Sequence, residues 1–173
     1  MPLPSTHLAV GLALGILAYL LDMSDPNILL VSLVGSIFPD IDIVTGHHRI
    51  TPTHSLLWPI VILTCSFIFR KFSRRVSSYL RWFSINYMVH IILDLFNWYV
   101  PILYPLSDSC IWVNVAPGLS THGVYIANSV HVSACVSLPS GIPHLQDVEL
   151  VPIGVLVLAV LILLYLRHYY SRR

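Results

Sequence analysis

The sequence predicts an all-α membrane protein, a bundle of about four or five short membrane-embedded helices with an irregular or β-rich excursion before the last one. Only 10% of its 173 residues are charged, 56% are hydrophobic, and the mean hydropathy is +0.78. Soluble domains carry roughly 25% charged residues, so this depletion favours a lipid environment. The apolar residues are also grouped into separate runs along the sequence rather than spread evenly over it.

Five apolar runs justify the predicted helices: Leu8–Leu21, Ile28–Phe38, Leu56–Phe69, Ile85–Leu106 and Leu150–Leu166. The last, with 17 uncharged residues, is the one predicted to span the membrane. The first three have 14, 11 and 14 residues and fall below the roughly 20 that a hydrocarbon core requires. They are therefore expected to thin the bilayer, to be re-entrant, or to form core helices half sunk in it. Prolines mark the expected helix ends: Pro26, Pro39, Pro52 and Pro101.

Residues 107–149 have a different character, because apolar and polar residues alternate there between glycine and proline turns. We expect an extramembrane excursion, which divides the chain into a metal-site helical membrane domain (1–106), the excursion (107–149), and a C-terminal transmembrane helix with a basic tail (150–173). Cys110 and Cys135 would pair if this segment faces an oxidising compartment. No cysteines stand as a CxxC pair, so a thiolate zinc site is not indicated.

The charges predict an orientation rather than a nucleic-acid partner, since the net charge is only +1. Eight of the nine basic residues form two clusters: Arg70, Lys71, Arg74, Arg75 and Arg81, then Arg167, Arg172 and Arg173. The positive-inside rule places both clusters, and so the C-terminus, on the cytoplasmic side of a multi-pass inner or plasma membrane protein. Tracing the helices from there gathers most histidines and carboxylates of residues 1–106 at the outer face: His7, Asp40, Asp42, His47, His48, His54, His90 and Asp94.

A polar stripe on the fourth predicted helix indicates chemistry. Asn86, His90, Asp94 and Asn97 are spaced 4, 4 and 3 residues apart, which puts them on one face of an otherwise apolar helix. Ionisable groups in such a medium are costly to bury and indicate a functional site. His90 and Asp94 can reach one metal ion, or one ion each of a close pair. A structural hydrogen-bonded pair is the alternative.

Several short motifs, taken together, resemble those of a known family. Over residues 5–106 the chain resembles the YdjM-type membrane-bound metal-dependent hydrolases, a group of prokaryotic inner-membrane proteins. The motifs that carry the resemblance are Thr6-His7, Pro39-Asp40-Ile41-Asp42, His48-Arg49, Thr53-His54-Ser55 and His90-xxx-Leu93-Asp94. That family is distantly similar to zinc-dependent phospholipases C and single-strand-specific zinc nucleases. The resemblance implies metal ligands at His7, Asp40, His54, His90 and Asp94. The further downstream ligands of zinc phospholipases have no match, so one or two ions are expected.

The implied function is hydrolysis of a phosphoester or lipid-like substrate by metal-activated water. Imidazole and carboxylate ligands suit zinc, with manganese or iron as alternatives. Candidate catalytic residues are Asp42, His48 and Arg49. Arg49 is the basic residue nearest the cluster and would clamp a phosphate oxygen, while Asp42 would bridge metals, orient a histidine or act as a base. Membrane lipids and an unidentified small-molecule or lipid substrate are the expected partners. A transport or binding protein, or a structural protein whose histidines bind metal for folding, remains the alternative.

Overall fold

A computed structural model describes residues 4–23, 25–45, 52–120 and 123–135 of the chain. This part contains four α-helices, one β-hairpin and a short π-helical segment, Tyr19–Met23, that follows the first helix. The helices are α1 (Pro4–Ala18), α2 (Asn27–Ile37), α3 (Leu57–Phe69) and α4 (Arg74–Leu95), and the strands are β1 (Ser109–Ser120) and β2 (Gly123–Ala134). Short 3₁₀ segments, Phe38–Thr45 and Pro52–His54, lie between α2 and α3.

The predicted fold class, an all-α bundle of membrane-embedded helices, is wrong. An antiparallel two-stranded sheet accompanies the helices, with Ser109 opposite Ala134 and Ser120 opposite Gly123, and it lies within the segment 107–149 that the sequence predicts to be irregular or β-rich. Over the described ranges, no helix is both long enough and apolar enough to cross a membrane. The reason differs between helices: α1, α2 and α3 have only 15, 11 and 13 residues, whereas α4 has 22 but carries many polar and basic ones. The predicted spanning helix and tail at 150–173 fall outside the described residues.

The fourth helix begins earlier than its apolar run. Ser73 caps it, because its Oγ accepts a hydrogen bond from the backbone N–H of Val76 at 3.3 Å, and the helix therefore starts at Arg74 rather than near Ile85. It ends at Leu95, directly after Asp94. The polar face of α4 is buried against the other helices, with Ser77, Ser84, Asn86, Tyr87, His90 and Asp94 all buried.

Small residues let α2 pack closely against both α1 and α4. A Cβ at Gly35 would lie 2.6 Å from the backbone oxygen of Phe83 on α4. On the other side of α2, Ser32 and Ser36 face Gly15 and Gly11 of α1, where added Cβ atoms would lie 3.0 Å and 2.6 Å from the serine Cβ atoms. This close approach fixes the distance between α4 and the 3₁₀ segment that follows α2.

A polar clamp holds the turn between α1 and α2 at the beginning of α4. Asp25 accepts a hydrogen bond from the Tyr79 hydroxyl at 2.6 Å and pairs with the Arg75 guanidinium at 2.7 Å. Arg75 also donates to the Tyr79 hydroxyl at 2.8 Å. Asp94 lies 19 residues further along α4 than Arg75, which separates it from this clamp by roughly 28 Å at the helical rise.

The hairpin is attached to the segment that follows α4. Val100 and Ile111 exchange two backbone hydrogen bonds of 2.9 Å, and the segment in turn accepts the backbone N–H of Leu56 at Ile102. Cys110 and Cys135, whose pairing the sequence left open, form a disulfide at the base of the hairpin. The end of α4 is thereby joined both to the hairpin and to the residues just after His54.

We expect Gly35→Ala to destabilise the protein by about 1–2 kcal/mol. Overpacking of a tight contact costs about 1–3 kcal/mol, and the gain in helix propensity of roughly 0.5–1 kcal/mol offsets only part of it. Denaturant unfolding followed by tryptophan fluorescence measures the change. Gly15→Ala is the matched control, because its Cβ would meet a serine side chain at 3.0 Å rather than backbone at 2.6 Å. An equal or smaller loss for Gly35→Ala would contradict the packing described.

Candidate metal centre

Four predicted ligands, brought together from three chain segments, form one cluster. Asp40 lies on the 3₁₀ segment after α2, His54 ends the short 3₁₀ turn before α3, and His90 and Asp94 lie one turn apart on α4. Each offers one ligand atom, and these four atoms all lie within 4.8 Å of one another. The i, i+4 stripe thus supplies two ligands, and the tertiary fold supplies the other two.

The spacing of the four atoms fits a single small cation. Asp94 Oδ2 lies 3.3 Å from His54 Nε2 and 3.5 Å from His90 Nε2. Asp40 Oδ1 lies 3.4 Å from His90 Nε2 and 3.9 Å from His54 Nε2. Metal–ligand bonds of about 2.0–2.2 Å at tetrahedral angles require ligand atoms about 3.3–3.6 Å apart. Three of these four distances lie in that range and the fourth, 3.9 Å, is slightly longer, so the cluster approaches the spacing of a tetrahedral site.

The cluster is buried, with one side less so. His54, His90 and Asp94 are no more than 1% exposed, whereas the side chain of Asp40 is 13% exposed. Buried carboxylates are costly unless a cation or a hydrogen-bond network compensates them. A divalent cation held by the two imidazoles and two carboxylates would supply that compensation. Asp40 marks the more open side.

Hydrogen bonds orient both imidazole rings toward the centre. Nδ1 of His54 lies 3.1 Å from Asp42 Oδ2, and Nδ1 of His90 lies 2.6 Å from the Ser36 carbonyl oxygen. Both partners are acceptors, so each Nδ1 carries the proton and each Nε2 is left to bind a metal. Such carboxylate–histidine and carbonyl–histidine contacts are the usual support of metal-binding histidines.

Asp42 is itself held by the 52–54 turn. The Thr53 hydroxyl donates to Asp42 Oδ2 at 3.2 Å, and Asp42 is only 3% exposed. The Tyr87 hydroxyl, on α4, donates to the backbone carbonyl of Thr53. Of the three roles considered for Asp42, the contacts favour the orienting one. Its assignment as a catalytic residue stays a prediction.

His7 lies beside the four-residue cluster. Its ring stacks on that of His90 with centroids 3.8 Å apart, and its Nε2 lies 3.3 Å from Asp94 Oδ1, the oxygen turned away from His54 and His90. His7 is 2% exposed. It therefore contacts the centre through Asp94, and its role as a ligand stays a prediction. The other predicted catalytic residues, His48 and Arg49, and also His47, fall outside the described residues.

The rest of the polar stripe does not join the cluster. Asn86 Nδ2 donates to the Trp82 carbonyl and Asn97 Nδ2 to the Leu93 carbonyl, both within about one turn of their own positions.

The groups that support the metal ligands were not predicted from the sequence, apart from Asp42. Tyr87 stands three residues before His90, a spacing that places it on the same helix face and so could have indicated it. The Ser36 carbonyl is a backbone group and carries no such signal.

The pKa values of the histidines follow from burial opposed by carboxylates. Burial lowers the pKa of His90, but the hydrogen bonds and charges of Asp40 and Asp94 outweigh it and raise the pKa to about 9. Burial also lowers the pKa of His54, and Asp42 and Asp94 raise it above its ordinary value. Burial lowers the pKa of His7. For Asp40, burial favours a higher pKa, yet His90 leaves the net pKa lowered.

We expect metal affinity to weaken as the pH falls from about 8 to about 6. His90, with its pKa raised to about 9, holds a proton in this range without metal, and the raised pKa of His54 favours its protonation as the pH falls. A metal ion must displace these protons from Nε2. Each displaced proton weakens binding about tenfold per pH unit, so one or two protons give about tenfold to hundredfold per unit. Calorimetry of Zn²⁺ binding in buffers of different ionisation enthalpy counts the protons released. An affinity independent of pH would contradict this.

We expect Asp42→Asn to weaken metal binding about 10- to 100-fold, the usual effect of losing a carboxylate that orients a metal-binding histidine. The amide that replaces the carboxylate would no longer fix the proton on His54 Nδ1. Competition with a chromogenic zinc chelator measures the affinity. The control is Asp25→Asn, which also removes one carboxylate, but from the turn that contacts the beginning of α4, far from the cluster. Equal affinities for the two variants would show that Asp42 does not support His54.

A comparison with family models identifies the family of this chain. The family model described as YdjM inner membrane protein matches residues 1–172, nearly the whole chain. No curated protein and no solved structure gives a significant match. The resemblance carried by the motifs is thus confirmed at the level of the family, together with the inner-membrane location in its description, whereas the distant similarity to zinc phospholipases and zinc nucleases is not confirmed. The chain belongs to the YdjM inner membrane protein family.

Proposed function

We propose that this protein is a metal-dependent hydrolase of the inner membrane that acts on a phosphoester or lipid-like substrate. The observation that carries the proposal is the cluster of Asp40, His54, His90 and Asp94, whose ligand atoms all lie within 4.8 Å of one another. Two histidines and two aspartates without thiolate are typical of hydrolytic zinc, manganese or iron sites. A divalent ion held there supplies Lewis acidity, which activates water and polarises a phosphoryl oxygen.

Zinc suits this set of imidazole and carboxylate ligands, with manganese or iron as alternatives. The contacts of 3.3 Å and 3.5 Å between Asp94 Oδ2 and the two histidine nitrogens suit a small tetrahedral ion. Among the described residues, the cluster provides a complete ligand set for one ion. A second ion would have to share Asp94 through Oδ1, which faces His7 at 3.3 Å, and would need ligands from elsewhere.

The residues of the chain have separable roles in this proposal. Asp42 and the Ser36 carbonyl hold the imidazoles in the orientation that leaves Nε2 available. Asp40, the most exposed ligand, is the side from which a substrate would enter and from which one protein ligand could give way. Arg49, if it lies near that side, would bind a phosphate oxygen, and His48 would assist proton transfer.

The hairpin supports an outward-facing site. The Cys110–Cys135 disulfide suits an oxidising compartment, and the backbone hydrogen bonds of Val100 with Ile111 join the hairpin to the segment just after Asp94. We therefore propose that the metal cluster lies on the side of the inner membrane away from the cytoplasm. Lipids at that surface are the nearest candidate substrates.

A structural metal site is the second candidate, and a specific observation favours it. Structural zinc sites are closed by four protein ligands, whereas catalytic sites keep a position open. Three of the four ligands here are essentially fully buried. In that case the metal would hold α2, the 52–54 turn and α4 together without supporting turnover. Metal content and hydrolysis must therefore be measured separately.

We expect the purified full chain in detergent to hold about one zinc ion or a comparable divalent ion, and to hydrolyse a phosphoester or phospholipid in mixed micelles. Asp94→Asn and His90→Ala should lose the metal and lower the rate about a hundredfold or more, because each removes a ligand. Elemental analysis and a phosphate-release assay over a panel of phosphomonoesters, phosphodiesters and phospholipids measure both.

The matched control is His131→Ala, since His131 lies on β2 and stacks on Trp112 rather than in the cluster. It should keep both metal and activity. If wild type binds the metal but hydrolyses none of the panel, while metal removal lowers only the melting temperature, the hydrolase proposal is overturned in favour of the structural site. If wild type binds no metal after dialysis against Zn²⁺ and Mn²⁺, both are overturned.

A further inference from the structure

The turn between α3 and α4 carries the most exposed aromatic side chain in the described part of the chain, set among basic residues. Phe72 is 80% exposed, and Phe67 and Ile68 at the end of α3 are 60% and 57% exposed. Arg70, Lys71 and Arg74 are exposed beside them. We call residues 67–74 the basic–aromatic turn. We propose that it docks onto the anionic headgroup layer of a phospholipid membrane, with the apolar side chains entering the acyl region.

The apolar part of the turn continues an apolar helix face. The exposed large hydrophobic side chains of α3 run along the helix from its first turn to its last: Trp58, Ile60, Val61, Phe67, Ile68 and Phe69. Phe69 and Phe72 contact each other edge to face, with centroids 6.4 Å apart. An exposed apolar patch of this kind marks a surface that contacts another apolar phase. Aromatic and aliphatic side chains beside lysine and arginine are the composition of surfaces that lie in the membrane interface.

The charge of the turn selects an anionic partner. The sequence has no Asp or Glu between Asp42 and Asp94, so the basic residues of the turn are not balanced along the chain. Asp25, which reaches this end of α4, is engaged by Arg75 and Tyr79. The three exposed cations of the turn are therefore suited to phosphate groups. A nucleic acid would match the charge but not the exposed apolar side chains, whereas an anionic lipid matches both.

This proposal does not rest on the hydrolase. Arg74 and Asp94 are 20 residues apart on one helix, a separation of about 30 Å at the helical rise. Substitutions in the turn therefore leave the metal cluster and its ligands in place. An experiment can therefore disprove lipid binding at the turn without disproving metal binding at the cluster, and the reverse.

The test measures, by native mass spectrometry, how tightly the detergent-purified full chain binds phosphatidylglycerol and phosphatidylcholine with matched acyl chains. Wild type should bind phosphatidylglycerol at least about tenfold more tightly than phosphatidylcholine. R70Q/K71Q/R74Q should lose about tenfold or more of the phosphatidylglycerol affinity, since each cation near an anionic surface contributes about fivefold. Phe72→Ser should weaken both lipids about fivefold, because it removes the inserted side chain and no charge.

The control is R167Q/R172Q/R173Q, which changes the net charge by the same amount at the far end of the sequence. Its phosphatidylglycerol affinity should stay within about twofold of wild type. The proposal is overturned if R70Q/K71Q/R74Q binds phosphatidylglycerol like wild type, if both triple variants lose affinity equally, or if a single-stranded oligonucleotide binds the turn more tightly than the lipid does. Thermal unfolding and size-exclusion elution confirm that every variant compared is folded.

Discussion

The buried carboxylate of Asp94 is the group on which the arrangement of the helices depends. It is fully buried; one oxygen faces His54 and His90 at 3.3 Å and 3.5 Å, and the other faces His7 at 3.3 Å. A buried carboxylate without compensation costs several kcal/mol. The three histidines that surround it come from α1, the 52–54 turn and α4 itself. Three segments therefore converge on one negative charge.

That convergence requires close packing as well as charge. His90 can reach the Ser36 carbonyl at 2.6 Å only because α2 lies against α4, and Gly35 permits this approach where any Cβ would meet the Phe83 backbone. Asp40 follows Ser36 by four residues and is thereby carried to His90. On the other face of α2, glycines of α1 pack against serines, which brings His7 over the ring of His90. The spacing of the helices therefore determines the spacing of the ligands.

The sequence could predict the part of the centre that is local. His90 and Asp94 are four residues apart on a helix, and that periodicity alone places them on one face. The predicted topology places Asp40 and His54 only at the same membrane face, and the resemblance to a family is needed to name them as ligands, because no periodic pattern connects residues on different segments. The role of Asp42 could not be decided from the sequence. It depends on which nitrogen of His54 faces it, and that follows from the tertiary fold.

The membrane-bundle prediction failed for a related reason. Composition measures how much apolar surface a chain has but not how that surface is distributed between the core and the outside of its helices. Leu30, Phe67 and Phe72 are 62%, 60% and 80% exposed, so much of the apolar character lies on the outside of short helices and turns. In α4, the longest described helix, the buried serines, Asn86, His90 and Asp94 lower the hydropathy. A protein can thus have the composition of a membrane protein while its described helices are too short or too polar to span.

The two ends of α4 carry different chemistry, and this limits how a lipid substrate could be bound. Cations and exposed aromatic side chains lie near Arg74, while the metal ligands lie at His90 and Asp94, roughly 25–30 Å away along the helix. A single headgroup cannot contact both ends, because that distance is several times the size of a headgroup. A lipid held at the basic–aromatic turn therefore serves to anchor the protein rather than to react. Under the proposed hydrolase function, a substrate would instead approach from the side where Asp40 is partly exposed, between the 3₁₀ segment after α2 and the end of α4.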